Sequence, residues 1–251
     1  MTKVLAALAA DTAAAPVLSA AVAIAGLFDA SVVALHVRED GTAVPHELAT
    51  AAGVELYERD GSPIEQITAA CQSPEVTALA LGARGIHGGA QPAGHTALQV
   101  ITQVSKPVLV VPPHAQPRQS LTRILVPLDG TTESAHALRE IITLAHAHRL
   151  EIVVLHVYSP DTVPAFSDHA PHATHARERE FLSRNVAAPH DRVRLLHHLG
   201  VAADDIGVAS RETTADLIAL AWRQNLTRGS AHVVSETLAH SNIPVLLLPV
   251  P

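Results

Sequence analysis

Two similar α/β domains in tandem, each a doubly wound parallel sheet of five strands with helices on both faces, are what the sequence predicts. Three observations carry that expectation: short apolar segments alternate with helical patterns, the alternation runs twice, and the second round repeats the wording of the first. "TKVLAALAAD" returns as "TRILVPLDG", "ASVVALHVRED" as "LEIVVLHVYSP", and "SKPVLVVPP" as "NIPVLLLPV", in unchanged order. Self-similarity on this scale means one supersecondary plan used twice. Strand, helix, strand succession implies right-handed crossovers and hence parallel pairing.

In the first copy the apolar runs at residues 4–9, 31–37, 54–58, 76–81 and 108–111 are rich in β-branched residues and end at Gly, Pro or Asp, as buried parallel strands should. In the second copy the matching strands fall at residues 123–127, 151–158, 192–199, 216–221 and 245–248. The domains are read as residues 1–113 and 122–251, joined by a linker at 114–121 within the proline-rich "PPHAQPRQS". The second copy is the longer one between its second and last strands. The final strands, "KPVLVVP" and "IPVLLLP", read as apolar edges whose free N–H and C=O groups would invite another chain. Laying one against the other makes an intrachain pseudo-dimer, with a homodimer as a further step.

Composition narrows the function. Apolar residues form 48% of the chain and charged residues 16%, enough apolar material for a core and too little charge for disorder. The net charge is −7 with histidine neutral. Without a basic cluster or a row of aromatics, a nucleic-acid partner is not expected. The apolar N-terminal stretch is interrupted by Asp11 and Pro16 and reads as strand, turn and helix, so neither export nor a membrane partner is expected. The lone Cys71 allows no disulfide within the chain, which suits the cytoplasm.

In open α/β sheets ligands bind beyond the carboxyl ends of the strands, where the strand order reverses. That rule selects Asp11 and Thr12 after the first strand, Val37 after the second, and the glycine-rich "LGARGIHGGAQPAGHT" after the fourth. The strand-terminal Asp, the "LHV" strand, the "GSP" turn at residues 61–63, the Gly-x-x-Gly loop and the closing "KPVLVVP" together resemble the universal stress protein family, here as a tandem. The resemblance implies the doubly wound fold of the adenine nucleotide alpha hydrolase kind and a stress-related role. It also implies, for some members, ATP held by Gly-x-x-Gly, nine residues, then Gly-Ser or Gly-Thr. Here Gly82 and Gly85 take the first two positions, with Ala83 and Arg84 between, and Gly94 takes the third, one residue early. His95 replaces the hydroxyl residue, with Thr96 next along. By resemblance, Asp11 and Val37 would face the nucleoside, and the glycines and Thr96 the phosphates. ATP or another adenine nucleotide is therefore expected in the first domain only.

The second copy keeps Asp129 and Gly130 but has Ala221 and Gln224 where the first two glycines belong, with Trp222 beside them to crowd the loop. Asp129 is there expected to act as a helix N-cap. Of the 17 histidines, His169, His172 and His175 have metal-like spacing, but Pro171 interrupts a helix there, so an inserted surface loop without a metal is expected. His36 and His156, matched in the two "LHV" strands, read as histidines satisfied by a backbone partner. No hydrolase elbow and no Walker spacing occurs. Catalysis is not expected. Three readings stand: a nucleotide-binding stress protein, a nucleotide-independent binding module of the same fold, and a slow ATPase.

Overall fold

The computed structural model describes residues 1–11, 13–38, 44–83, 93–116, 118, 120–158, 171–225 and 231–250, with the backbone alone at residues 171–175 and 177. The first half runs β1 (Lys3–Ala7), α1 (Ala14–Leu27), β2 (Ser31–Arg38), α2 (His46–Ala51), β3 (Glu55–Asp60), α3 (Pro63–Cys71), β4 (Val76–Gly82), α4 (His95–Gln103) and β5 (Val108–Val111). The second half runs β6 (Arg123–Pro127), α5 (Thr132–Ala147), β7 (Glu151–Tyr158), α6 (Pro171–Asn185), β8 (Val193–Leu199), α7 (Ala202–Glu212), β9 (Leu217–Trp222), α8 (His232–His240) and β10 (Val245–Pro249).

The ten described strands form one sheet, ordered β3-β2-β1-β4-β5-β10-β9-β6-β7-β8. Within each half every pairing is parallel, and the halves meet through β5 and β10, which pair antiparallel as Val245 with Val110, Leu246 with Leu109 and Leu247 with Val108. The final strands are thus the centre of the sheet rather than its edges. The true edges are β3 and β8. β3 reads ELYERD and is almost wholly exposed. Its charges pair with β2, Arg38 bonding both carboxylate oxygens of Asp60 at 2.9 and 3.0 Å. A charged edge discourages strand addition by another chain.

One apolar layer lies on each face of the sheet, and both run across the seam. On one face α1 and α5 cover Ala6, Leu109, Val126 and Leu246; on the other α3, α4, α7 and α8 cover Leu79, Val110, Ile218 and Leu247. α1 is mostly alanine, valine and leucine, with nine buried positions, so it can lie close against the strands. Alanine also has the highest helix propensity. Cys71, at the end of α3, is buried, and burial pushes its thiol up to about 11, which leaves it unreactive at neutral pH.

Pro171 does not interrupt a helix; it opens α6, so His172 and His175 sit in helix rather than in a loop. Proline is tolerated in a first turn because the N–H it lacks would have no intrahelical acceptor there. His169 lies outside the described residues. Among the described residues, no His, Cys, Asp and Glu side chains are grouped to hold a metal ion. No described helix is long and apolar enough to cross a membrane.

Because both apolar layers are continuous through β5 and β10, the halves should unfold together. Leu246 is fully buried at the seam. Leu246→Ala should lower stability by about 2–5 kcal/mol and shift a single calorimetric transition as a whole. Two transitions in the parent, or a shift confined to one of two, would show that the seam does not couple the halves.

Candidate functional site

In the first half the strand order reverses between β1 and β4, and a cavity of about 360 Å³ opens there beyond the carboxyl ends of the strands. Its apolar wall includes Ala7, Leu35, Val37, Ile67 and Leu81. Its other side is the turn into α4, formed by Gly82, Ala83, Gly94, His95 and Thr96. The turn is tied to the sheet: Ala83 N–H donates to Val111 O at 2.8 Å, and Gly94 N–H donates to Ala83 O at 2.6 Å. Gly94 is the extended residue before α4, whose first intrahelical bond runs from Leu98 N–H to Gly94 O at 3.0 Å. The N–H groups of His95, Thr96 and Ala97 therefore have no intrahelical acceptor and stand at the cavity with the positive end of the helix dipole.

Of the site residues expected from the sequence, the structure brings together Val37, Gly82, Gly94, His95 and Thr96. Thr12, Arg84 and Gly85 lie outside the described residues. Asp11 does not line the cavity. One of its carboxylate oxygens accepts Ala13 N–H at 2.9 Å, closing the turn that starts α1. The reason lies in two extra residues. In the second half Asp129 follows Leu128 directly and lines the corresponding crevice, whereas Ala9 and Ala10 stand between Leu8 and Asp11 and take the lining place themselves. Sequence reasoning missed these alanines, although the unequal spacing was visible between the copies.

His36 is buried beside this cavity, and its Nδ1 donates to Leu8 O at 2.9 Å. His156 repeats the bond to Leu128 O at 2.7 Å. A carbonyl only accepts, so each neutral ring carries its proton on Nδ1. Both histidines pin the residue after the first strand of their half to the second strand. This fixes the floor of each crevice.

A family model for the universal stress protein family matches residues 120–249. The chain belongs to the universal stress protein family. Over its whole length it is also similar in fold to a universal stress protein from Archaeoglobus fulgidus DSM 4304, at 15% identity and a TM-score of 0.69, covering 98% of this chain and 96% of that one. A protein of unknown function from Pseudomonas aeruginosa PAO1 is similar at 14% identity and a TM-score of 0.69, covering 99% and 92%. No curated protein sequence matches the chain.

The two halves of this universal stress protein have diverged at the fourth-strand turn. Strand register places Gly82 against Val111 and Ala221 against Leu248, so Trp222 stands where the first half has the small Ala83. Trp222 is buried, and it does more than crowd its own loop. Its indole N–H donates to Ile101 O at 3.4 Å, and the side-chain amide of Gln224 donates to Val104 O at 2.6 Å, both at the C-terminal end of α4. Gln224 keeps a left-handed backbone, φ 54°, the conformation a glycine would favour. The turn that in the first half faces a crevice thus grips the other half. The second crevice is left with about 230 Å³, narrowed by Trp222, Val233 and Val250.

The expected N-cap is also shifted by two residues. α5 is capped by Thr131, whose hydroxyl accepts Ser134 N–H at 3.3 Å, while Asp129 accepts the N–H and hydroxyl of Thr131 at 2.9 and 2.8 Å. Gly130 between them has φ 82°, where a side chain would be strained and would meet Phe181 and His156. The His156 ring packs on Tyr158 and Phe181 with centroids 4.5 and 4.6 Å apart. His197, on the neighbouring strand, stacks on Tyr158 at 5.4 Å. Adjacent His198 points to the opposite face and donates to Asp205, 2.9 Å away.

Burial pushes the His197 pKa below 6.5, and nearby His156 adds to the effect while Glu178 opposes it. A depressed histidine pKa means that the unfolded chain binds the proton more readily. The stability contributed by neutral His197 is thus complete above about pH 6.5 and is lost as the pH falls through that value. Between about pH 6.5 and 5 the denaturation midpoint of the parent should fall more steeply than that of His197→Phe, which keeps the ring on Tyr158. Equal slopes would show that His197 charges freely in the folded state.

Proposed function

We propose that this universal stress protein is a non-catalytic ligand-binding protein of the stress response, acting in the cytosol, and that its first half takes an adenine nucleotide. The observation that carries this reading is the meeting of an apolar wall and an open helix N-terminus at one cavity of about 360 Å³. Small-molecule sites span about 300–1,000 Å³. Val37 and Ile67 would face the base, and the N–H groups of His95, Thr96 and Ala97 the phosphates, where backbone donors and the helix dipole favour an anion. The ligand class comes from the family resemblance. Against hydrolysis stands the lining itself: among its described residues the only acid or base side chains are those of His36 and His95, and His36 is bonded to Leu8 O. The displacement of Asp11 favours a second reading, a nucleotide-independent ligand in the same cavity.

Thermal shift with ATP, AMP and adenosine tests the proposal. A ligand present at a hundredfold excess over Kd stabilises the folded state by about 2.7 kcal/mol. Thr96 is exposed in the first turn of α4, and Thr96→Glu should leave the fold intact, since an acid complements the helix dipole there. The variant should bind ATP and AMP about tenfold or more weakly, by like-charge repulsion, and adenosine as before. No shift of the parent with any of the three would favour the second reading. Undiminished ATP binding by Thr96→Glu would remove the phosphates from α4.

A further inference from the structure

A cavity of about 500 Å³, larger than either crevice, lies at the seam, between α1 of the first half, the segment after β5, and the N-terminal ends of β9 and β10. Its floor is apolar, made by Ala20, Ala23 and Ile24 of α1 with Leu109 of β5. Its polar side is built around Asp216, whose side chain is 1% exposed. Asp216 Oδ2 accepts from the N–H and hydroxyl of Thr122 at 2.7 and 2.6 Å and from Arg123 N–H at 2.9 Å. These three donors hold the carboxylate in place. Its Oδ1 is buried and among the described residues accepts no hydrogen bond, yet Arg118 Nε stands 2.9 Å from it, at ion-pair distance but off the hydrogen-bonding direction.

The consequence is an arginine anchored at its inner nitrogen, with its outer edge left over. Arg118 is 58% exposed, and among the described residues its guanidinium has no second partner. A cationic ligand would have to evict Arg118 to reach Asp216. An anionic one meets the planar, donor-rich edge of a guanidinium already oriented by a buried carboxylate, the geometry that suits a carboxylate. His114 and Asn242 line the same cavity and can add donors. From this we infer that the seam binds a small amphipathic carboxylate, its acid group on Arg118 and its apolar tail along α1 and Leu109. The ion pair alone would serve to fasten the linker to the second half; a fastening does not call for the apolar cavity beside it. The site contains residues of both halves, and its ligand would bind only while they are apposed.

Calorimetric titration of the full-length protein with octanoate tests this. One site per chain is expected, weakened about tenfold or more in Arg118→Gln, which removes the charge. Ala23→Phe should abolish it by filling the floor without touching the ion pair. Octylammonium, with the same tail and opposite charge, should not bind, and Thr96→Glu, at the first-half crevice, should bind octanoate like the parent. The inference is overturned by any of four results: no saturable octanoate binding, full binding by Arg118→Gln or Ala23→Phe, octylammonium binding as tightly as octanoate, or loss of octanoate binding in Thr96→Glu.

Discussion

The rest of the architecture depends on the antiparallel pairing of β5 with β10. Each of these strands has four consecutive residues of valine and leucine, all buried. Standing alone, either would leave an apolar edge with unpaired backbone groups, the arrangement most prone to recruiting another chain. Paired, they turn two half-covered sheets into one sheet with two continuous apolar layers, and burial of each leucine or valine contributes about 1.5–3 kcal/mol. The direction of the pairing matters as much as its existence. Antiparallel contact relates the halves by a pseudo-two-fold axis, so the carboxyl ends of β1 to β5 and those of β6 to β10 point to opposite ends of the sheet. The two crevices cannot face each other.

That geometry explains the clamp of Trp222 and Gln224. In a βαβ unit the helix runs back against the strands, so the C-terminal end of α4 lies where the first-half strands begin. By the two-fold relation, this is where the second-half strands finish. The turn after β9 therefore arrives beside Ile101 and Val104, whose carbonyls it meets. A glycine-rich turn at that place could cradle an anion; one carrying Trp222 and Gln224 holds a neighbouring helix instead. The grip falls on the same helix whose other end opens onto the first-half cavity.

Much of this was legible in the sequence because buried parallel strands announce themselves as short β-branched runs between turn residues. Residues 108–111, 123–127 and 151–158 fall where the patterns place them, and other strand ends differ by a residue or two, since strand ends are settled by hydrogen bonding rather than composition. The bonds of His36 and His156 to backbone carbonyls were also readable, from their matched positions in the two copies. What escaped depended on neighbours distant in the chain. Nothing local to Trp222 says that its ring faces α4, because the acceptor belongs to the other half. Pro171 was misjudged for a local reason, since a proline reads as a breaker until it is known to stand in the first turn. Asp11 escaped although the spacing was in view: motif resemblance tracks residue type, while its place in the crevice is set by the two alanines before it.

The two halves thus each carry a different part of one shared layout. The first keeps the small residues and the open start of α4, which leave room at the crevice, but its acid has been carried out to cap a turn. The second keeps the acid at the crevice, beside Leu128, but narrows the space with Trp222. The features the first half retains are the cavity and the open helix end at its mouth, neither of which a carboxylate can supply. The second retains one that serves the fold, because Asp129 through Thr131 starts α5, which covers the shared core at Leu138, Ile141 and Ile142. Tandem fusion removes the requirement that both copies stay alike: in a homodimer a tryptophan at the turn would narrow both crevices at once, whereas in one chain it can brace the seam from one side and leave the other crevice at its full width.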